Sequence, residues 1–417
     1  MAVPSATDLP ESIPIEPSDW SYKAEGNQSI VLSYRGSDTN ICGWLLRLSK
    51  CDVAAGTNAN ADACATHRHD DTQRKRDDAT FATSVIGPLL GAEYVLPQRL
   101  VALKPESLRQ LHEKCEPLRP AHRLHRQIDL AQGVGILQPN AFRGTPPGSS
   151  RLRQSVTVEL KPKWGFLPSS TSISPHNSVK SRVCRYCMHQ YTKHASQDVS
   201  GFCPLDLYSG DRRRIVRALD SLARSPQNNL RVFVGDHSVI DKQGKISDEC
   251  VPQWEALRDC VADIILKEPL FSRLKRCQQA LDSLDIEGVL PLYRRAMESG
   301  SLANAQPSIN DWLSAVSDFL RRSGNADSPA TDKQAILEFL ISTTLKDVSV
   351  LITLPEWPIH KTAPGGMSSE PQYAVAVIDS DPKQLAKIPD YFSKDEKIVK
   401  HFLKHCPDPG SRPRCSE

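Results

Sequence analysis

The chain has 417 residues and nearly balanced charge, since 52 lysines and arginines stand against 49 aspartates and glutamates and the net charge is +3. This length allows two lobes with a large buried core, and the charge balance excludes a protein that coats a polyanion over its whole surface, so any basic site must be local. No run approaches about 18 apolar residues, and residues 1–18 lack the basic and apolar regions of a secretory signal, which predicts an intracellular protein without a membrane span.

The first elements along the chain predict a β-rich N-terminal lobe over residues 18–150, after a disordered N-terminus at 1–17. A loop of small residues at 22–29 runs into a β-branched strand at 30–34, and a second strand follows a polar turn at 43–48. Two strands separated by a polar turn are typical of a β-hairpin.

Residues 51–78 are rich in alanine, asparagine, aspartate, threonine and histidine, with almost no large apolar side chains. Such a composition cannot bury enough apolar surface to offset the entropy of ordering, so we predict a disordered insertion here. The remainder is predicted as a larger, mostly helical C-terminal lobe at 151–405 and a flexible tail at 406–417. Its helices are predicted near 212–224, 254–293, 332–343 and 395–405, and its strands at 230–234, 348–354 and 373–378. This order predicts an α+β protein with a two-lobed, kinase-like fold.

Two lysines, Lys161 and Lys163, follow the alternating strand that begins near Ser155. Pro162 fixes an extended backbone between them, and side chains at i and i+2 of an extended chain point the same way. Both ammonium groups are therefore predicted to reach one phosphate, with residues 164–168 as an apolar anchor. An edge strand with solvated lysines is the alternative, and this pattern alone favours it.

A nucleotide loop is a second candidate, because backbone N–H groups at Glu25, Gly26 and Asn27 could bind phosphates. Arg47 lies in the next strand, where a two-lobed kinase holds nucleotide phosphates. A single glycine is a weak signal, and an ordinary turn followed by an exposed strand arginine explains the same residues.

Two aspartates adjoin apolar strands. Asp347 precedes one strand and Asp379 closes another. Phosphoryl transfer to an alcohol needs one carboxylate to orient or accept the hydroxyl proton and another to hold magnesium, roles that suit Asp347 and Asp379 respectively. Lys383, Lys387 and Tyr391 recur every four residues, so they share one face if that segment is helical. Turn-forming aspartates and a solvated helix face are the commoner interpretations.

The sequence has twelve cysteines without a regular framework, which favours free thiols or a metal over disulfides. Cys184, Cys187 and Cys203, with His189 and His194 nearby, form part of a zinc pattern. A structural zinc takes four ligands in paired spacings, and Cys203 has no partner pair. The pattern therefore favours buried thiols over zinc.

Taken together, several segments resemble the signature of the inositol-pentakisphosphate 2-kinase family. They occur in the family's order from Trp20 to Phe402, apart from the polar insertion and some variable helices. The matching segments are 159–168, 184–190, 203–210, 226–233, 284–288, 346–349 and 378–383.

The resemblance implies an ATP-dependent kinase that phosphorylates the 2-hydroxyl of inositol 1,3,4,5,6-pentakisphosphate and yields inositol hexakisphosphate (phytate). It implies Asp347 as base, Asp379 as magnesium ligand, and helices of the C-terminal lobe that bind inositol phosphates. The nucleotide side is implied to include Glu25, Gly26, Asn27, Arg47, Glu159 and Asn229. The substrate side is implied to include Lys161, Lys163, Lys193, Asn228, Lys383, Lys387 and Tyr391.

An arginine of the basic stretch 119–126, either Arg123 or Arg126, is expected to join the substrate side. Five phosphates carry roughly eight to ten negative charges near neutral pH, so the protein must gather cations from several segments. The implied partners are ATP and the inositol phosphate, with a monomeric protein in the nucleus or cytoplasm and no nucleic-acid or membrane partner.

Three departures from the family pattern are visible: Ala24 replaces a frequent glycine, Lys387 replaces an arginine of some members, and no Cys/His cluster follows 284–288. A non-catalytic binder of inositol phosphates or RNA is the second interpretation, although it would gain nothing from carboxylates beside phosphates. A zinc-dependent nucleic-acid module is the third, and a single CxxC with dispersed positive charge falls short of it.

Overall fold

The protein is described by a computed structural model, which forms two compact units, Met1–Thr83 with Leu96–Arg151 and Ser84–Val95 with Leu152–Glu417. The first is called unit 1 below and the second unit 2. The described residues are 13–26, 28–52, 72–141, 154–193, 200–235, 237–240, 244–246, 251, 253–302, 306–322, 331–357, 372–405 and 415–417.

Within these residues the fold is mixed α/β, with twelve α-helices and two antiparallel sheets. The helices are α1 (72–81), α2 (Gly87–Leu90), α3 (Pro105–Cys115), α4 (Arg185–Lys193), α5 (Pro204–Leu207), α6 (Arg212–Arg224), α7 (Trp254–Lys267), α8 (Leu270–Ala280), α9 (Asp285–Glu298), α10 (Ile309–Arg322), α11 (Asp332–Leu345) and α12 (Ile388–His405). The strands are β1 (Trp20–Glu25), β2 (Ser29–Tyr34), β3 (Trp44–Asp52), β4 (Arg99–Ala102), β5 (Arg126–Ile128), β6 (Val134–Pro139), β7 (Gln154–Leu160), β8 (Leu230–Val234), β9 (His237–Ser238), β10 (Ser349–Trp357) and β11 (Ala374–Ile378).

The sheet of unit 1 has the order β1-β2-β3-β6-β4, with β5 also paired to β3. Alternate residues of its strands point into one core, where Leu32, Leu46 and Leu137 lie in adjacent register and are fully buried. Helix α3 covers this core with Leu108 and Leu111, which lie three residues apart on one helical face. The predicted hairpin is thus part of a six-stranded sheet.

The predicted loop at 22–29 is wrong for its first half. Strand β1 pairs with β2 from Trp20 opposite Tyr34 to Glu25 opposite Ile30. The N–H of Gly26 donates to the carbonyl of Ser29 at 2.9 Å, so the turn is confined to the hairpin end. Small residues suggested a loop, but the buried Trp20 anchors this segment as a strand.

The Glu25 side chain lies inside unit 1 and pairs with two cations. Its Oε2 is 2.7 Å from Lys50 Nζ and 3.0 Å from Arg119 Nη2, and the three side chains are at most 1% exposed. Burial acts to raise the pKa of Glu25, but hydrogen bonds and charges from Arg119 and Lys50 lower it overall. Glu25 therefore holds the hairpin against the basic stretch that contains Arg119.

We expect Glu25→Ala to lower the free energy of unfolding by about 3–5 kcal/mol, because removing one partner leaves buried cations uncompensated. Chemical denaturation of the whole chain measures this loss. Glu106→Ala is the matched control, since Glu106 pairs with Arg109 at the surface, with side chains 63% and 59% exposed. Its effect should stay within about 1 kcal/mol, and equal losses in both variants would contradict the structural role of Glu25.

The sheet of unit 2 has the order β11-β10-β7-β8-β9. Its central strands are buried on both faces, because consecutive residues, which point to opposite faces, are buried at Thr157 and Val158 of β7 and at Leu351 and Ile352 of β10. Helix α11 is buried along nearly its whole length, as expected for a helix that is apolar on all sides. The predicted strands at 230–234, 348–354 and 373–378 are confirmed as β8, β10 and β11.

Two segments differ from the composition-based prediction. Residues 72–78, placed in the disordered insertion, belong to α1, where buried Lys75 donates to the Val134 carbonyl at 2.6 Å. Residues 415–417, placed in the flexible tail, are docked, with Glu417 Oε1 accepting from the Leu167 N–H at 2.5 Å. The predictions for 1–12, 53–71 and 406–414 lie outside the described residues. No helix in the described ranges is long and apolar enough to cross a membrane.

Candidate active site

The predicted lysine clamp and the two predicted aspartates meet at one end of the sheet of unit 2. Lys161 Nζ lies 2.8 Å from Asp379 Oδ2, and Lys163 Nζ lies 3.0 Å from Asp347 Oδ1. Lys383 Nζ lies 2.8 Å from the second oxygen of Asp347, Oδ2. Residues far apart in the sequence thus form one cluster of three cations and two anions.

The extended frame predicted for both lysines is wrong at Lys163, whose φ is +58°. The left-handed conformation turns the chain, so Lys161 and Lys163 reach different aspartates instead of one common anion. Such a φ is uncommon for a residue with a Cβ and persists only where the surroundings enforce it.

Gln278 of α8, which is fully buried, holds Lys163 in this left-handed conformation. Its Nε2 donates to the carbonyls of Lys163 and Leu345, each at 3.0 Å, and its Oε1 accepts from the Gly165 N–H at 2.8 Å. Tyr208 donates to the same Lys163 carbonyl at 3.1 Å. One amide thus holds the turn of the clamp and the end of α11, two residues before Asp347.

We expect Gln278→Met to reduce turnover strongly and to lower the free energy of unfolding by at least about 2 kcal/mol. The change keeps the volume but leaves buried backbone groups unpaired, each worth about 1–3 kcal/mol. Denaturant unfolding and initial rates measure the two effects. Gln110→Met on the exposed face of α3 is the control and should change stability by less than about 0.5 kcal/mol; the same small change at Gln278 would refute its positioning role.

The lysines and aspartates of the cluster are paired with one another, and these pairs shift their pKa values. Burial acts to raise the pKa of Asp347, but Lys163 and Lys383 outweigh it and lower the pKa to about 2. Burial acts to lower the pKa of Lys161, but Asp379 raises it overall. Burial lowers the pKa of Lys163 despite Asp347. A polyanion that enters this site can replace the aspartate carboxylates as the partner of the lysines.

Glu159 and Asp379 share a hydroxyl neighbour. Ser349 Oγ lies 3.0 Å from Glu159 Oε1 and 3.2 Å from Asp379 Oδ2, the oxygen that also contacts Lys161. Glu159 is buried at the end of β7, whereas about half of the Asp379 side chain is exposed. Two carboxylates within reach of one hydroxyl form an oxygen-rich corner suited to a divalent cation.

A cleft of about 340 Å³ opens beside Lys163 and Asp347. Asn229 is 2% exposed, and its buried Nδ2 has no hydrogen-bond partner among the described residues. The predicted residues that line the cleft are Lys163, Asn228, Asn229, Asp347, Lys383 and Tyr391.

Further residues with polar groups line the cleft but were missed by the sequence analysis. Arg185, Tyr186 and His189 come from α4, and Lys394 comes from α12. The first three lie within the segment 184–190, where the cysteines directed the interpretation towards zinc. Lys394 lies three residues after Tyr391 and so close to it on the helix surface, but it falls outside the four-residue spacing that links Lys383, Lys387 and Tyr391.

Buried ion pairs beneath the cleft orient Arg185. Its Nε lies 2.8 Å from Asp395 Oδ1, while the other oxygen of Asp395 lies 2.8 Å from Lys180 Nζ. Lys180 also pairs with Asp285 and Glu287, which begin α9. Asp285 and Glu287 of the 284–288 segment are therefore linked to Arg185 through Lys180 and Asp395.

The other predicted residues have partners of their own or lie outside the described residues. Lys387 is half exposed and pairs with Asp390 at 3.0 Å. The side chain of Lys193 and all of Asn27 lie outside the description. In unit 1, Arg47 Nε donates to Ser29 Oγ at 3.0 Å, and Arg126 donates to Gln28 Oε1 at 3.0 Å. The Arg123 carbonyl accepts from Arg119.

Carboxylates among cations gathered from several segments form an arrangement of charges suited to phosphate groups, as phosphotransferases require. The sequence model of the family described as inositol-pentakisphosphate 2-kinase matches residues 22–397. The chain belongs to this family.

Similar proteins span nearly the same length. A protein of rice, Oryza sativa subsp. indica, named inositol-pentakisphosphate 2-kinase IPK1, is 30% identical over 93% of this chain and 94% of its own. The inositol-pentakisphosphate 2-kinase of Danio rerio is 27% identical over 95% of this chain and 96% of its own, and that of Arabidopsis thaliana is 26% identical over 92% and 93%.

Proposed function

We propose that the protein transfers the γ-phosphoryl group of ATP to the 2-hydroxyl of inositol 1,3,4,5,6-pentakisphosphate. The observation that carries the proposal is the pairing of Lys161, Lys163 and Lys383 with Asp347 and Asp379 beside the cleft. Family membership and the names of the relatives support it.

Inositol phosphate binding is assigned to cationic and polar side chains, most of which line the cleft. Lysines act as separate point charges, so each can meet a different phosphate, while Arg185 offers a planar fork. The proposed set is Lys161, Lys163, Arg185, Asn228, Lys383, Lys387, Tyr391 and Lys394, with Lys193 and Arg123 or Arg126 retained from the sequence analysis. A protein of near-zero net charge thereby concentrates positive charge at one place.

Asp347 is assigned to the hydroxyl. When substrate phosphates attract Lys163 and Lys383, the Asp347 carboxylate loses the charges that lower its pKa and becomes a better proton acceptor. The 2-oxygen forms a bond to the γ-phosphorus, the bond to the bridging oxygen of ADP breaks, and the hydroxyl proton passes to Asp347. Because Lys163 and Lys383 leave Asp347 only when they bind phosphates, Asp347 is available as a base only when substrate is bound.

Magnesium is the divalent ion that this proposal assigns to Asp379, with Glu159 close by. Mg²⁺ is typically held by one or two carboxylates together with substrate phosphates, and this oxygen-rich corner fits that ligand set. The ion would neutralise charge on the ATP phosphates.

Nucleotide binding is assigned to Glu25, Gly26, Asn27, Arg47, Glu159 and Asn229, as the family resemblance implies. Because the Glu25 side chain is buried in an ion pair, only its backbone is available to a phosphate. We also propose that the protein has a two-lobed, kinase-like fold, is monomeric and is located in the nucleus or cytoplasm.

The direct test is to incubate the purified protein with ATP, magnesium and inositol pentakisphosphate and to resolve the products by anion exchange. Formation of inositol hexakisphosphate with equimolar ADP is expected. The Asp347→Asn variant, purified identically, controls for contaminating kinases. Absence of the hexakisphosphate product with wild-type protein would refute the proposal.

A further inference from the structure

Lys346, the residue directly before Asp347, caps the end of α11 and has a buried side chain. Its ammonium pairs with the Asp282 carboxylate, and the two side chains are 3% and 1% exposed. The second oxygen of Asp282, Oδ1, has no hydrogen-bond partner among the described residues, so this carboxylate depends on Lys346. A buried ion pair thus lies one residue before the proposed base.

Three aromatic rings lie around the Lys346 ammonium. Its Nζ is 3.9 Å from the ring centre of Trp164, 5.1 Å from that of Phe166 and 5.6 Å from that of Phe339. A cation within about 6 Å of a ring centre is attracted by the ring, most strongly where water is excluded. The ammonium is therefore enclosed, although Lys346 and Trp164 both border the cleft.

Trp164 and Lys346 connect the same two segments that an ion pair of the cleft connects. Lys163 pairs with Asp347 at 3.0 Å, and the residue after Lys163 contacts the residue before Asp347. In the ion pair, Lys163 is 19% and Asp347 52% exposed, whereas Lys346 in the second contact is 3% exposed. The two segments are therefore joined by one accessible contact and one enclosed contact.

Substrate affects these two contacts differently. Under the proposed function, substrate phosphates attract Lys163 and so break its pairing with Asp347. The Lys346 ammonium keeps its partners, because it is paired with Asp282 and enclosed by rings. The enclosed contact then holds the backbone of Asp347 beside the lysine clamp while its carboxylate accepts the proton. A displacement of about 1 Å can cost about 100-fold in rate, so this support matters for turnover.

We propose that Lys346, held by Asp282 and the Trp164 ring, is a positioning residue that fixes Asp347 for phosphoryl transfer once Lys163 has turned to substrate. The role rests on the proposed function, in which Asp347 is the base. Lys346 itself contacts no phosphate. Its removal should therefore lower the rate of the bound complex and leave substrate affinity unchanged.

The double variant Lys346→Met with Asp282→Asn tests this role. It keeps the side-chain volumes nearly constant, leaves no buried charge unpaired and does not change the net charge. We expect kcat to fall at least about tenfold, while affinity for inositol pentakisphosphate, measured by calorimetry without ATP, stays within about threefold of wild type. Lys333→Met is the matched control in the same helix. It removes a lysine that is 42% exposed and paired with Asp311, and it should leave both values unchanged.

The single variant Lys346→Met separates positioning from general stability. It leaves Asp282 buried without its cation and should unfold at a lower denaturant concentration than the double variant. Positioning predicts that the double variant regains stability but not kcat. A smaller than tenfold fall in its kcat would overturn the proposal. A loss of affinity beyond threefold would also overturn it, because Lys346 would then be a phosphate ligand.

Trp164→Phe and Trp164→Leu provide a second test that keeps both charges and decides the matter if the double variant does not fold. Phenylalanine retains a ring for the ammonium and leucine does not, so kcat should be at least about threefold higher in Trp164→Phe. Equal kcat values in the two variants would overturn the role of the ring. Wild-type protein in the same assay distinguishes the two levels of the account. Absence of its product would refute the proposed function and this role together, whereas normal wild-type turnover with unaffected variants would refute this role alone.

Discussion

Asp347→Asn is expected to lower kcat by about 10²–10⁴-fold, the usual contribution of a positioned general base. The amide keeps the shape of the side chain but cannot accept the proton of the 2-hydroxyl. Binding of inositol pentakisphosphate should be retained or become tighter, because Lys163 and Lys383 lose the anion that competes with phosphate. Initial rates by anion exchange and calorimetric titration without ATP separate the two effects.

Asp263→Asn provides the control for this substitution. Asp263 pairs with Arg212 at the surface of unit 2, with a side chain 60% exposed, and should leave both kcat and affinity unchanged. A kcat for Asp347→Asn within about threefold of wild type would show that the proton is accepted elsewhere.

Asp379→Asn is expected to raise the magnesium concentration that gives half-maximal rate by at least about 10–100-fold. Changes around a metal site commonly reduce its affinity by this factor, and here a charged oxygen ligand itself is removed. Titrating the rate with magnesium at saturating ATP measures the shift.

The two aspartates can therefore be told apart. Asp347→Asn should lower the rate at every magnesium concentration without moving the midpoint, whereas Asp379→Asn should move the midpoint. An unchanged midpoint in Asp379→Asn would remove Asp379 from the metal site.

Local sequence pattern predicted most elements of unit 2 because buried strands such as β8 and β10 are short apolar runs with clear ends. It failed at 22–25 and 72–78, where small or polar residues concealed a strand and a helix. Those elements are ordered by distant partners, such as Arg119 for Glu25 and Val134 for Lys75. Composition within a window contains no information about such partners.

Site residues were predicted chiefly through the family resemblance rather than from local chemistry. Asp347 and Asp379 look like turn formers until the fold places Lys163 and Lys161 against them. The left-handed turn at Lys163 depends on Gln278, more than a hundred residues away along the chain, so no pattern around Pro162 indicates it.

The cluster formed by the sulfur atoms of Cys184, Cys187, Cys203 and Cys415, which lie within 4.8 Å of one another, shows the same limit. Three of its members lie in matching segments of the family, but Cys415 is distant in sequence and has no paired spacing. Only the docking of residues 415–417 places it beside Cys184.

The central claim is that the lysines paired with Asp347 are those that receive substrate phosphates. Calorimetric titration of Lys163→Met and Lys383→Met with inositol pentakisphosphate, without ATP, tests it most directly. Each loss of a charged hydrogen bond of about 1.5–3 kcal/mol predicts an affinity about 10–150-fold weaker than wild type. Lys397→Met on the exposed side of α12 should match wild type. Affinities of Lys163→Met and Lys383→Met within about twofold of wild type would contradict the account.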